Sequence, residues 1–94
     1  MTAAAGHAER RVTILNKRGL HARAAAKFVK LAAQFAAEVT VVKDGVSVSG
    51  RSIMGLMMLA AGPGTELTLI AAGADADPAL AAIAALIAAR FDED

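Results

Sequence analysis

Val39-Thr40-Val41-Val42-Lys43-Asp44-Gly45-Val46-Ser47-Val48-Ser49 reads as two β-branched runs hinged on Asp44-Gly45. An Asp-Gly pair readily takes the positive backbone angles of a type I′ turn, so residues 39–43 and 46–49 are predicted as an antiparallel hairpin. Outward on the N-terminal side the period changes from two to 3.6. Phe28, Leu31, Ala32 and Phe35 recur at i, i+3, i+4 and i+7, with Arg23, Lys27, Lys30 and Gln34 on the opposite stripe. That spacing predicts a helix from His21 or Ala22 to Gln34 with the first set facing a core. Before it, residues 10–15 alternate, with Val12 and Ile14 against Arg11 and Thr13, as in a half-buried strand, and residues 16–19 form a loop. Residues 1–8 are small and polar without periodicity and are expected to form a flexible tail.

On the C-terminal side Ser52 is placed to cap a short helix over residues 53–60, which Gly62-Pro63-Gly64 ends. Leu67 and Leu69 with Thr68 and Ile70 read as a fourth strand. Asp77 followed by Pro78 predicts the start of a last helix, whose buried stripe is Leu80, Ile83, Ala84, Ile87 and Phe91. Asp92-Glu93-Asp94 is expected to trail off as an acidic end. The order β-α-β-β-α-β-α argues an α+β fold in two layers, with three helices on one face of a four-stranded antiparallel sheet. Periodicity alone leaves the strand order open.

The 94 residues suit a single domain, residues 1–94, with one modest core. Hydrophobic residues make up 56% of the chain, yet it has no Trp or Tyr and only three Phe, so the core must be assembled from many small contacts. Without cysteine there is neither a disulfide framework nor a thiolate metal site, and no cofactor or metal is expected. No basic-then-apolar leader opens the chain, and the apolar run 79–89 is far short of the roughly 20 residues that span a bilayer. A cytoplasmic monomer with no membrane association is therefore expected. A net charge of +1 gives little reason to expect nucleic acid. Its distribution says more: through Arg51 there are nine Lys/Arg against three Asp/Glu, and from Ser52 onward one against six. Such asymmetry fits either a phosphate or acidic protein partner, or simply a solvated basic face.

Chemistry is sparse in this chain. No Walker-type phosphate loop is present, because Gly62-Pro63-Gly64-Thr65 lacks its lysine, and no nucleophile elbow appears. The remaining candidate is Gly19-Leu20-His21-Ala22-Arg23, where a histidine meets the start of a helix. The first N–H groups of a helix lack internal partners and carry partial positive charge. A phosphoryl group on His21 would find those donors, with Arg23 as a planar charged clamp. Equally, His21 could be a plain surface residue flanking a helix. The short second helix poses a similar pair of readings. Ile53, Met54 and Met57 form one stripe and Leu56, Leu59 and Ala60 another, and a helix of this length in a two-layer fold has room to bury one of them. Either both are core, or the first is an exposed methionine-bearing patch suited to several partners.

Gly19-Leu20-His21-Ala22-Arg23, with Ser52-Ile53-Met54-Gly55-Leu56-Met57 some thirty residues on, resembles the HPr family of histidine phosphocarriers of the bacterial phosphoenolpyruvate-dependent phosphotransferase system. The likeness runs from about Arg10 to Arg90. It implies an open-faced β-sandwich with strand order 1-4-2-3, and phosphorylation of His21 at Nδ1 with Arg23 steadying the group. It also implies enzyme I as donor, enzyme II A domains as acceptors in sugar uptake, and docking through Leu20, Ile53, Met54 and Met57. Such a protein is a carrier with a transient phosphohistidine rather than a turnover enzyme with its own small substrate. Some members are phosphorylated at the serine matching Ser52, which adds an HPr serine kinase/phosphorylase to the expected partners; a capping serine would look the same. The family usually places proline where this chain has Ala24, which leaves the helix start less rigidly set. Two other outputs fit the same residues: a regulatory relay of nitrogen or carbon status without a transported sugar, and a binding-only module signalling through phospho-Ser52. The presence of His21 and Arg23 argues against the last.

Overall fold

A computed structural model of the chain describes residues 6–93. The elements are β1 (His7–Thr13), α1 (Ala22–Ala32), β2 (Glu38–Lys43), β3 (Val46–Ser49), α2 (Ile53–Met58), β4 (Glu66–Ala72) and α3 (Ala76–Ala88), followed by a 3-10 turn at Arg90–Asp92. The strands form one antiparallel sheet in the order β1-β4-β2-β3. Asp44 and Gly45 both have positive φ, 48° and 81°, as the type I′ hairpin between β2 and β3 requires. Alternation sets the two faces of the sheet. Val39, Val41, Leu67, Leu69 and Ala71 are buried under the helices, whereas Thr40, Thr68 and Ile70 between them are only half-buried on the open face.

The helices close the other layer. α3 lies over β1 and β4, and α1 packs against α2 and α3. α1 buries Ala24, Ala25, Phe28 and Ala32, while Leu31 and Phe35 are half-buried. The core-facing stripe is therefore rotated toward the small alanines, which let α1 approach its neighbours closely. Leu56 and Leu59 are buried as expected, but Ala60 is exposed and takes φ 53°, so α2 ends at Met58 rather than running through residue 60. The Lys43 ammonium donates to the Leu59 carbonyl at 2.8 Å, closing that helix end with a cation. No helix among the described residues is long and apolar enough to cross a membrane.

Three further expectations need correction. Part of the expected tail is strand: His7 and Ala8 pair with Ala72 and Ala71, because β4 extends far enough to offer their backbone groups partners. Residues 1–5 lie outside the described residues. The N-cap position of α3 is taken by Asp75, not Asp77, which sits inside the first turn. The Asp75 side chain does not cap its own helix; its Oδ2 accepts from the Ala36 N–H at 2.7 Å and so ties α3 to the loop after α1. Of the acidic end, Asp92 and Glu93 do not trail away, and Asp94 lies outside the described residues. Arg90, Phe91 and Asp92 turn in the left-handed region, at φ 57°, 55° and 60°, and Phe91 is fully buried beyond the helix rather than on it.

Candidate functional site

The site is built where the loop after β1 enters α1. Gly19 has φ 63°, and a Cβ there would lie 2.3 Å from the Ala61 carbonyl oxygen, so only glycine fits. That close approach lets the Leu20 N–H donate to Ala61 O at 2.9 Å, which fixes the loop against the segment following α2. Leu20, expected at the rim of a docking patch, is 5% exposed and belongs to the core. The correction has a simple cause: the chain turns inward at Gly19, and the next side chain is the one it buries.

His21 is the N-cap of α1, in extended conformation, and its side chain makes no capping hydrogen bond. Its carbonyl accepts the first helical bond, from Ala25 N at 2.8 Å. Among the described residues nothing takes up the first-turn N–H groups of Ala22, Arg23 and Ala24, which lie at the positive end of the helix dipole. Ala24, at the position where the HPr family usually has proline, is fully buried and continues the helix without a break. Arg23 is exposed, and no described residue pairs with it. An anion near the His21 ring would meet those donors, with the exposed Arg23 guanidinium two residues along.

The other ring nitrogen is occupied by a residue that sequence reasoning missed. His21 Nε2 lies 3.0 Å from Glu93 Oε2 and 3.1 Å from Oε1. Glu93 is held in turn by Asn16, whose Nδ2 donates to Glu93 Oε1 at 2.9 Å and to the Gly19 carbonyl at 2.8 Å. Both partners of that amide are acceptors, which settles its orientation. Asn16 is fully buried and its Oδ1 has no partner among the described residues. The hydrogen bond from Asn16 holds the Glu93 carboxyl below the ordinary glutamate value of 4.5; burial opposes it, and the bond and charge of His21, then the charge of Arg18, add to the lowering. Lys27 completes the support by donating to the Phe91 carbonyl at 2.6 Å. An Asn ahead of a loop and a Glu just past a buried Phe were the available signals, but neither indicates that the two meet.

Ser52 and the patch lie on α2. Ser52 Oγ accepts from the Gly55 N–H at 2.8 Å, a capping bond of the expected kind. Ile53, Met54 and Met57 are exposed, at 41%, 70% and 39%, and Met58, not anticipated, is the most open at 79%. With Leu56 and Leu59 buried, the helix divides into an inner and an outer stripe, and the outer one is apolar.

A two-layer open-faced sandwich with a histidine at the start of α1 is what the resemblance to the histidine phosphocarriers implies. The family model described as the PTS HPr component phosphorylation site matches residues 8–89. The chain is 54% identical over 85 residues to a phosphocarrier protein NPr from Shewanella violacea, covering 90% of this chain and 93% of that one. It is 51% identical over 85 residues to a phosphocarrier protein HPr from Cupriavidus necator, covering 90% and 96%. A crystal structure of HPr-C-His from Thermoanaerobacter tengcongensis superposes with a TM-score of 0.88 at 41% identity, over 93% of this chain and 98% of that one. The chain belongs to the HPr family.

Proposed function

We propose that this cytoplasmic monomer accepts a phosphoryl group from phospho-enzyme I on His21 and passes it to enzyme II A domains. The observation that carries the reading is His21 at the N-cap of α1 with the first-turn N–H groups open and Arg23 beside it. A neutral imidazole is a competent nucleophile near neutral pH, and its phosphoramidate transfers onward readily. The exposed stripe Ile53, Met54, Met57 and Met58 supports docking of successive partners, with Leu20 acting beneath it as core. Incubation with enzyme I and labelled phosphoenolpyruvate should place an acid-labile, base-stable label on His21, and His21→Ala should abolish it without unfolding the domain. Label persisting in His21→Ala would sink the assignment.

The acceptor decides between sugar uptake and a regulatory relay. Matches to an NPr and to an HPr phosphocarrier at nearly the same identity, 54% and 51%, support either output. A panel of phospho-acceptor domains offered to the labelled protein separates them. Modification of Ser52 by a serine kinase is part of the proposal, supported by its place one residue before the exposed stripe.

A further inference from the structure

We infer that Glu93 is a positioning residue for phosphoryl transfer, holding the His21 ring as its Nε2–H tautomer so that the lone pair is presented at Nδ1. The inference rests on His21 as the phosphoryl acceptor and goes beyond it by assigning the residue that selects the reacting nitrogen. A carboxylate has acceptors only, and both Glu93 oxygens lie within 3.1 Å of Nε2. In the neutral ring the proton must then sit on Nε2, which leaves Nδ1 as the free nucleophilic atom. Glu93 itself is not free to swing away. Asn16 Nδ2 fixes Oε1 at 2.9 Å, and the turn before it is anchored by buried Phe91 and by Lys27 on the Phe91 carbonyl.

The arrangement also serves the transfer itself. As the Nδ1 lone pair forms the new N–P bond, the donor's bond to phosphorus breaks and its electron pair returns to the donor atom. No proton moves: the ring leaves the step still protonated at Nε2 and now positively charged. Glu93 lies against the atom that carries that proton, so its charge opposes the one that develops. The same residue stands on the ring nitrogen that does not react, so it does not block the incoming group. Asn16, buried with one oxygen unpaired, bears the cost of keeping the carboxylate there.

The test reads tautomer and rate separately. The 15N shifts of the two His21 ring nitrogens, measured on the alkaline side of the ring's titration, should report the Nε2–H form in the wild type. Glu93→Ala should move both toward the mixed-tautomer average and slow enzyme I-dependent labelling about tenfold. Glu93→Gln keeps an acceptor without the charge, so it should retain the tautomer bias and recover only part of the rate. An unchanged tautomer ratio in Glu93→Ala, or labelling of Glu93→Ala at the wild-type rate, overturns the inference. Label that stays on after His21→Ala instead defeats the underlying reading, so the two failures are distinguishable.

Discussion

Glu93 meets the His21 ring, and Arg23, of opposite charge, follows two residues along in α1. Glu93 is clamped by Asn16, whereas Arg23 is exposed and unpaired among the described residues, so in the proposed transfer the arginine would be recruited by the incoming phosphate. Arg23→Ala should slow both phosphorylation and onward transfer roughly tenfold, the low end of what one charge-assisted hydrogen bond contributes. Arg23→Lys should recover only part of this, because an ammonium lacks the planar fork. Equal rates in all three proteins would remove Arg23 from the mechanism. At Glu93 the sign of a pH effect follows from its lowered carboxyl. A depressed folded-state value means that the Glu93 carboxylate, held by Asn16 and His21, stabilises the fold fully above the ordinary value of 4.5 and loses that contribution as pH falls through the lower folded one. A 13C titration of the Glu93 carboxyl should therefore have its midpoint below 4.5; a midpoint at or above it would contradict the clamped geometry. His21 and Arg23 could be found in the sequence because a helix start is a local feature. Glu93 could not, since its partners Asn16 and His21 lie more than seventy residues away along the chain.

Among the elements, α2 separates stability from docking most cleanly. Met54→Asp replaces a side chain that is 70% exposed and should change stability by no more than about 0.5 kcal/mol while weakening binding to enzyme I. Leu56→Asp buries an unpaired charge where exposure is 0% and should cost about 4 kcal/mol or more. Melting curves and enzyme I binding on both variants decide whether the patch is a docking surface. Ser52 tests the same helix from its N-terminus. Aspartate is as good a cap as serine and suits the positive end of the dipole, so Ser52→Asp should hold or raise the melting temperature. Its added charge beside the patch should slow His21 labelling, with a defect that shrinks in high salt as exposed charges are screened. Wild-type labelling at low salt would leave Ser52 as a cap and nothing more. The hairpin about Asp44-Gly45 and the inner and outer stripes of α2 were legible because turn chemistry and periodicity are local. The cap of α3 was not. Asp75 and Asp77 look alike beside Pro78, and it is a distant N–H, that of Ala36, which engages Asp75.

At the scale of the whole molecule, the layer order followed from the succession of patterns, but the strand order came from resemblance, because half-buried strands look alike in any order. Phe91 was recognisable as core from its spacing to Ile87; the left-handed turn that carries it was not, since alanine-rich helices give no sign of where the chain will reverse. That turn joins the far end of the chain to the loop before α1, so its loss should be felt in two places. Phe91→Ala should cost about 3–5 kcal/mol as a cavity. It should also slow His21 labelling by releasing Glu93, an effect absent if the turn serves packing alone. The turn has a further consequence for anything joined after residue 93. A flexible linker leaving that point starts beside the His21 imidazole, and a short one holds its cargo at roughly millimolar effective concentration. An acceptor domain tethered there would meet the phosphoryl group almost without diffusion, whereas an inert bulky fusion would crowd out enzyme I. A tethered acceptor at this point would turn a diffusing carrier into an intramolecular relay.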